Sequence, residues 1–270
     1  MTDFLAQLQH FAVVGSTNDV VRDWLASGVT EVCVATADEQ TAGRGREGRA
    51  WLGPPGSALL LSLGFRPTYL PPDRFWQLPA VISLAMADAA EEVARLAPGS
   101  VGLKWPNDLV GGGSADREVR KLAGVLGESD GIGSDDPRVV VGIGVNGDWP
   151  RVSFPTELAA TMTSLHELAG GSIDHGALLD GFLRRLEPSI VGLRRGAFDG
   201  AAWEDRQITT GRDIELVAPD GTGSAVRAVG VDRSTGALLV EDRRAPDGRR
   251  AVVVGEIRHV RLARPTQVGV

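Results

Sequence analysis

A glycine- and arginine-rich stretch near the amino terminus reads Glu39-Gln40-Thr41-Ala42-Gly43-Arg44-Gly45-Arg46-Glu47-Gly48-Arg49-Ala50-Trp51. Its glycines match the GxGxxG spacing of dinucleotide-binding folds, in which the motif joins a strand to a helix. Here Gly53-Pro54-Pro55 follows, which does not begin a helix of that kind. The stretch therefore argues against a Rossmann fold. It favours a loop whose backbone amides and three guanidinium groups enclose a phosphate, and a solvated basic loop is the alternative.

The segments around this loop predict an α+β fold. Apolar residues at helical spacing predict helices over residues 17–27, 73–96, 156–169 and 175–195. Shorter apolar runs predict strands over residues 31–36, 58–65, 101–105, 119–126 and 138–145, and the last two form a predicted hairpin. From residue 208 onward, short strands alternate with turn sequences such as Pro219-Asp220-Gly221, which predicts a small β-barrel. We therefore expect two domains, residues 1–206 and residues 207–270.

Composition excludes several classes of protein. The chain has 270 residues and a formal net charge of −7, which argues against a surface devoted to nucleic acid or to an anionic membrane. Its one cysteine, Cys33, lies in an apolar run, which predicts a buried, inert thiol and a reducing compartment. No secretion signal and no apolar run of about 20 residues is present, so we expect a cytoplasmic protein.

Lysine is scarce, and its positions are informative. Lys104 and Lys121 are the only lysines among 28 Lys+Arg residues. The motif Lys104-Trp105-Pro106-Asn107-Asp108 ends a predicted strand, where polar groups of a site commonly collect; a self-capped turn is the alternative. Lys121 precedes Leu122-Ala123-Gly124 and is interpreted either as a snorkelling edge residue or as a buried cation that awaits an anion. The scarcity of lysine favours the second interpretation.

Two glycines interrupt the apolar strand that ends in Gly142-Ile143-Gly144-Val145-Asn146. Glycine in a strand predicts close approach of a ligand or of another backbone, and tight internal packing is the alternative. Asn146 is placed to read the edge of a base. None of the four histidines has metal-ligand spacing with another histidine or with Cys33, so the identity of any metal ligand stays open.

Together these motifs resemble, in order, those of the biotin protein ligases, which share a fold with lipoate ligases and with class II aminoacyl-tRNA synthetase catalytic cores. The segments that carry the resemblance are Ser16-Thr17-Asn18, residues 39–51, residues 104–108, Lys121-Leu122-Ala123-Gly124 and residues 142–146. The resemblance implies a mixed sheet with packed helices and a small carboxy-terminal SH3-like β-barrel.

The resemblance also implies a reaction in two steps. ATP and biotin would form biotinyl-5′-AMP and pyrophosphate, and a lysine of a biotin carboxyl carrier protein would then take the biotinyl group. The first step brings a carboxylate to an anionic phosphate, so cations must neutralise both. Arg44, Arg46 and Lys121, with Mg²⁺, would do this, and Asp108 is a hypothetical base or orienting group for the second step.

The family pattern divides the remaining site residues between the two substrates. The residues implied for biotin are Ser16, Thr17, Asn18, Gln40, Arg44, Gly45, Arg46 and Lys121. The residues implied for ATP or the adenylate are Arg44, Arg46, Arg49, Trp51, Lys104, Asn107, Asp108 and Asn146.

Two departures from the family pattern are visible. Glu47 occupies a position where many members carry arginine, so Arg44 and Arg46 are expected to contact more of the phosphate. The glycine-rich residues 110–118 make the connection to Lys121 longer than usual for the family, so we expect a surface insertion there. Some members also repress transcription through an amino-terminal helix-turn-helix domain, but only 15 residues precede Ser16, so we expect a monofunctional ligase, as a monomer or a homodimer. A lipoate or octanoate transfer enzyme and a non-catalytic biotin sensor are the alternatives.

Overall fold

A computed structural model describes residues 4–51, 53–112, 119–253 and 259–262. Most of the predicted insertion, residues 113–118, lies outside this range. Two sheets and several helices form the described part of the chain, which confirms the α+β class. No helix within the described ranges is both long and apolar enough to cross a membrane.

The larger sheet has seven strands in the order β1-β2-β3-β7-β6-β5-β4. β1 pairs with β2 in parallel, and the other neighbours are antiparallel. The β6–β7 pair confirms the predicted hairpin. The strands are β1 (Gln7–Val14), β2 (Cys33–Gln40), β3 (Ala58–Phe65), β4 (Val101–Lys104), β5 (Asp108–Gly111), β6 (Arg120–Asp130) and β7 (Arg138–Asn146).

The helices cover both faces of this sheet. β3 is buried along its whole length because α1 packs on one face and α2 with α4 on the other, which explains its nearly continuous apolar sequence. Cys33 is buried beneath α1, as predicted, and burial raises the pKa of its thiol to about 11. The helices are α1 (Thr17–Ala26), α2 (Gln77–Val93), α3 (Leu165–Ala169), α4 (His175–Arg194) and α5 (Gly200–Asp205), with 3-10 turns at Arg46–Gly48, Pro72–Arg74 and Arg151–Ser153.

Three predicted elements differ from the structure. The helix predicted over 156–169 is reduced to α3, because the strand backbone at Lys121 pairs with residues 161–163: Lys121 N donates to Thr161 O and Thr163 N donates to Lys121 O, both at 2.8 Å. The helix predicted from residue 73 begins only at Gln77. The strand predicted over 31–36 runs from Cys33 to Gln40, because it continues to pair with β1.

Two strands were not predicted at all. β1 is an edge strand whose side chains are mostly exposed, so it lacks the alternation of polar and apolar residues that signals a strand. β5 has only four residues, and its last two, Val110 and Gly111, fall within the predicted surface insertion of residues 110–118. The prediction was wrong for these two residues, which are buried in the sheet because β5 pairs with both β4 and β6. Both strands form because they pair with neighbouring strands of the sheet, and their own sequences carry no apolar pattern that predicts a strand.

A second sheet of five strands follows, in the order β11-β10-β9-β8-β12. It lies where a small β domain was predicted, and the connection between the sheets pairs with β4. Leu103 N donates to Arg206 O at 2.8 Å, and Ile208 N donates to Leu103 O at 2.9 Å. The boundary at residue 207 stays a prediction. The strands are β8 (Asp213–Val217), β9 (Gly223–Val231), β10 (Leu238–Glu241), β11 (Arg249–Val252) and β12 (His259–Leu262).

Candidate functional site

One cavity of about 510 Å³ collects residues from every motif of the sequence. It lies against the sheet beside the amino terminus of α1, beneath the glycine- and arginine-rich loop. Of the predicted site residues, those that line it are Ser16, Thr17, Asn18, Gln40, Arg44, Gly45, Arg46, Arg49, Trp51, Asn107, Lys121 and Asn146. The two that do not, Lys104 and Asp108, line an adjoining cavity of about 540 Å³, and Arg46 and Asn107 border both.

One end of the first cavity is polar and rigid. Thr17 donates to Gln40 Oε1 through its backbone N at 2.7 Å, and its Oγ1 lies 2.9 Å from the same oxygen. Ser16 is the N-cap residue of α1 but makes no side-chain cap bond, so its buried hydroxyl is not used by the helix. This end therefore offers hydroxyl and amide groups on fixed backbone, which suits a small, neutral, polar ligand group.

The arginine-rich loop closes on itself. Trp51 N donates to Gly43 O at 2.9 Å, and Gly45 N donates to Arg49 O at 2.7 Å. Glu47, the residue that departs from the family pattern, has a φ of 59° at the tip of the loop. This left-handed conformation is strained for residues other than glycine, asparagine or aspartate. The loop is a folded element in this structure.

Arg44 and Arg46 occupy different surroundings. Arg44 makes a bidentate pair with Asp19, at 2.7 and 2.8 Å, and lies 3.6 Å from Glu128. The hydrogen bond from Arg44 holds the pKa of the Asp19 carboxyl below its usual value. Arg46 borders both cavities, and burial lowers the pKa of its guanidinium. Carboxylates therefore engage Arg44 at the amino terminus of α1, whereas Arg46 lies where the two cavities meet.

The two lysines meet at one carboxylate. Asp108 Oδ1 lies 2.7 Å from Lys121 Nζ, and its Oδ2 lies 3.6 Å from Lys104 Nζ. Lys121 also lies 5.5 Å from the ring centroid of Trp51. Its side chain is 37% exposed, so the prediction of a buried cation was wrong for Lys121. Lys104 is more buried, and burial lowers its pKa while Asp108 opposes that shift.

The strand glycines make room for the protein's own side chains. A Cβ at Gly142 would lie 2.2 Å from Asn18 Oδ1, and one at Gly144 would lie 2.5 Å from the Trp51 indole. A Cβ at Gly124 would also meet that indole, at 2.9 Å. Close approach of a ligand or a backbone was predicted, with tight internal packing as the alternative, and the structure shows that alternative. The groups that approach are Asn18 and Trp51, which these glycines seat at the cavity.

Three predicted nucleotide-side residues have distinct hydrogen-bonding states. Asn146 donates from Nδ2 to Thr163 O at 2.9 Å, and Asn107 donates from Nδ2 to Val125 O at 2.9 Å. Trp51 Nε1 is buried, and no acceptor among the described residues takes its proton. The Trp51 indole N–H is therefore a donor in the cavity that an incoming acceptor can satisfy.

The described residues contain no group of three or more His, Cys, Asp or Glu side chains that could hold a metal ion. Mg²⁺ is commonly bound by one or two carboxylates together with the phosphates of a substrate. Asp108, which lines the adjoining cavity 2.7 Å from Lys121 Nζ, is a carboxylate that could hold such an ion together with the phosphates of ATP.

Comparison with known proteins agrees with this site. The model of the biotin/lipoate A/B protein ligase family matches residues 10–146, which is just over half of the chain. The chain belongs to this family. The matched range contains every predicted site residue of the biotin/lipoate ligase motifs, including the arginine-rich loop, Lys121 and Asn146.

Individual members of the family match over nearly their whole length. The chain is 32% identical over 259 residues to a biotin--[acetyl-CoA-carboxylase] ligase of Mycobacterium tuberculosis, covering 94% of this chain and 90% of the relative. A Paracoccus denitrificans protein of the same name is 33% identical, with 86% and 92% covered. Biotin protein ligase from Aquifex aeolicus, solved in complex with biotin and ATP, superposes with a TM-score of 0.76 at 27% identity, covering 95% of this chain and 99% of that one.

Three site-forming residues escaped the sequence analysis. Asp19 holds Arg44, Ser62 lies beneath Thr17 and Asn18, and Glu128 binds Asn18 and Arg22. Ser62 and Glu128 lie on β3 and β6, far from α1 in sequence, and no motif marks them. A polar serine in the otherwise apolar run of residues 58–65 was the only available signal.

Proposed function

We propose that this chain is an ATP-dependent biotin protein ligase that forms biotinyl-5′-AMP and then biotinylates a lysine of a biotin carboxyl carrier protein. The observation that carries the proposal is the single cavity that joins a rigid polar end, an arginine-rich loop and Lys121. Relatives named biotin--[acetyl-CoA-carboxylase] ligase, and the fold shared with a ligase bound to biotin and ATP, support it.

In the first step, a carboxylate oxygen of biotin attacks the α-phosphorus of ATP. A new P–O bond forms, the bond from the α-phosphorus to the bridging oxygen breaks, and pyrophosphate leaves. Both reactants are anionic, so the site must neutralise them and hold them in line. Lys121, half-exposed to the cavity and oriented by Asp108 at 2.7 Å, would contact both the carboxylate and the α-phosphate, and Arg46 would contact phosphate oxygens.

The two substrates would occupy opposite ends of the cavity. The ring end of biotin would lie against Ser16, Thr17, Asn18 and Gln40. Thr17 and Gln40 are fixed there by their own hydrogen bonds, and the Ser16 hydroxyl makes no cap bond. The nucleotide would lie toward Asn107, Asn146 and the Trp51 indole. Magnesium would supply further neutralisation of the phosphate charge when ATP is bound.

In the second step, the ε-amine of the acceptor lysine attacks the acyl carbon of the adenylate. A C–N bond forms, the bond from the acyl carbon to the phosphate oxygen breaks, and AMP leaves while the amine loses a proton. Asp108 borders the adjoining cavity and contacts Lys121, so it is placed to orient the amine or accept its proton. The carrier protein as partner is part of this proposal.

The test is biotin-dependent exchange of labelled pyrophosphate into ATP, measured for the wild type and for Lys121→Arg. The substitution keeps the charge but replaces a compact ammonium by a wide planar fork, so we expect the exchange rate to fall by at least about tenfold. Arg195→Lys, at an exposed position after α4, is the control and should exchange at the wild-type rate.

Two results would contradict the proposal. Exchange that depends on lipoate and not on biotin would reassign the substrate within the family. Tight binding of biotinyl-5′-AMP without biotinylation of a purified carrier domain would indicate a sensor instead of an enzyme. Binding of an operator DNA at nanomolar protein would separately contradict the prediction of a monofunctional ligase.

A further inference from the structure

A chain of polar side chains runs from the rigid end of the cavity to the protein surface. Thr17 Oγ1 lies 2.7 Å from Ser62 Oγ, which lies 2.5 Å from Asn18 Oδ1. Asn18 Nδ2 in turn lies 2.6 Å from Glu128 Oε2. Ser62 is fully buried, and Thr17 and Asn18 are nearly so, so solvent does not compete for these hydrogen bonds.

Glu128 determines the direction of hydrogen bonding along this chain. Its carboxylate accepts a second bond from Arg22 Nη2 at 2.9 Å and has the Arg44 guanidinium 3.6 Å away. A carboxylate only accepts, so the amide nitrogen of Asn18 must face it and the amide oxygen must face Ser62. Ser62 then has to donate its one proton to Asn18 Oδ1, and its oxygen can only accept from Thr17.

At the cavity, the Thr17 hydroxyl has one proton fewer than its two neighbouring acceptors require. Thr17 Oγ1 lies near two acceptors, Ser62 Oγ and Gln40 Oε1, and a hydroxyl has one proton. The Gln40 amide cannot turn to donate instead, because its oxygen accepts the Thr17 backbone N–H at 2.7 Å. Thr17 Oγ1 lies closer to Ser62 Oγ, at 2.7 Å, than to Gln40 Oε1, at 2.9 Å. When the Thr17 proton lies on the shorter contact, Thr17 Oγ1 and Gln40 Oε1 face each other without a proton between them.

We propose that Ser62 and Glu128 are positioning residues that make Thr17 and Gln40 a paired acceptor for a ligand N–H. A ligand donor placed there supplies the missing proton, whereas a ligand acceptor would add a third oxygen and be rejected. The pair therefore selects ligands with a cyclic urea or amide N–H at this end. This inference rests on the proposed function, in which that ligand is biotin.

Ser62→Ala tests the inference because Ser62 lies beneath the cavity wall and does not line it. Without the serine, Thr17 donates to Gln40 and the paired acceptor is lost. We expect the Kd for biotin, by titration calorimetry, to rise about three- to tenfold, the range for one hydrogen bond. The KM for biotin should rise equally, with kcat and the Kd for ATP unchanged.

Ser83→Ala is the matched control, because Ser83 is also a buried serine and its hydroxyl donates to a backbone carbonyl in α2. It should bind biotin as the wild type does. An unchanged Kd for biotin in Ser62→Ala, or an equal change for ATP and biotin, would overturn the inference.

Exchanging the Asn18 amide and the Glu128 carboxylate tests the direction of hydrogen bonding between these two side chains. Asn18→Asp places two carboxylates together and should weaken biotin binding at least about tenfold. Adding Glu128→Gln lets the new glutamine amide donate to the new carboxylate, whose other oxygen still accepts from Ser62. Arg22 Nη2, which shares Glu128 Oε2 with Asn18 in the wild type, loses that acceptor in the double variant. We expect the double variant to bind biotin at least about threefold more tightly than Asn18→Asp alone.

The outcomes separate this inference from the proposed function. If the wild type binds no biotin, both fail. If the wild type binds and exchanges as proposed but the double variant binds no more tightly than Asn18→Asp, only the direction set by Glu128 and Ser62 fails.

Discussion

At the scale of single residues, Gly144 is the position that allows Trp51 to lie on the sheet. A methyl group at this position would lie 2.5 Å from the indole, much closer than real Cβ contacts allow. The clash involves a ring that lies against the sheet, so a small rotation does not relieve it. Trp51 must therefore leave its place if Gly144 gains a side chain.

We expect Gly144→Ala to raise the KM for ATP by about tenfold or more, because the displaced indole can no longer form the nucleotide side of the cavity. Steady-state exchange kinetics measure this. Gly171→Ala is the control, because a Cβ there meets no atom within 4 Å. A KM for ATP that stays at the wild-type value would show that Trp51 does not serve the nucleotide.

His175, the first residue of α4, predicts a dependence of stability on pH. Burial lowers its pKa, against partial opposition from Asp148, Asp174 and Asp38, and its neutral Nε2 accepts from Asp148 N at 3.1 Å. The unfolded chain takes up this proton more readily, near pH 6.5. The stabilisation is therefore complete above that pH and is lost as the pH falls toward the lower folded-state pKa.

We expect the urea concentration at the unfolding midpoint to decrease when the pH is lowered from 7.5 to 5.5. His175→Gln should abolish most of that decrease. His10→Gln, at an exposed edge-strand position, should keep it. If His175→Gln keeps the full pH dependence of the urea midpoint, other titratable groups cause that dependence.

At the scale of elements, the helices differ in how they begin. α4 is capped by Asp174, whose carboxylate accepts from Gly176 N at 2.8 Å and from Ala177 N at 3.0 Å. α1 has Ser16 at the same position without a cap bond. The side chain of Ser16 lines the cavity, so α1 gives up a cap and leaves a hydroxyl available to a ligand.

Asp174→Ala should lower the free energy of unfolding by about 1 kcal/mol, the usual cost of losing an N-cap. Equilibrium urea unfolding measures this, and Asp180→Ala, an exposed position within α4, should cost less. Equal losses in the two variants would mean that the cap bonds contribute nothing.

At the scale of the whole molecule, Trp105 links the two sheets. Its ring is buried, and Nε1 donates to Gly236 O in the turn between β9 and β10 at 2.9 Å. Its backbone N donates to Thr209 Oγ1 at 3.0 Å, next to the chain connection that pairs with β4. These two hydrogen bonds hold the second sheet next to the motif that carries Lys104 and Asp108.

Trp105→Phe removes the indole donor and leaves the Gly236 carbonyl without that partner, so we expect a loss of about 1–3 kcal/mol in the free energy of unfolding. Urea unfolding monitored by far-ultraviolet circular dichroism checks it. Trp24→Phe, at a half-buried position on α1, is the control and should cost less. A loss no larger than that of the control would show that the hydrogen bond between the sheets is not stabilising.

The sequence by itself determined the α+β class, the central strands, the β6–β7 hairpin and most of the polar residues that line the first cavity. These features follow from local patterns: apolar spacing, turn residues and motifs whose members are close in sequence. The same patterns missed β1 and β5 and extended a helix over residues 156–164, because strand pairing with distant segments decides those regions.

Only the tertiary structure decided how the site residues act on one another. It pairs Lys121 and Lys104 with one carboxylate, engages Arg44 with Asp19, and fills the space above Gly142 and Gly144 with Asn18 and Trp51. It also adds Ser62 and Glu128, which no motif marks. The reason is physical: hydrogen-bond direction and ion pairing depend on distances of about 3 Å between atoms on different strands and helices, and sequence spacing does not encode those distances.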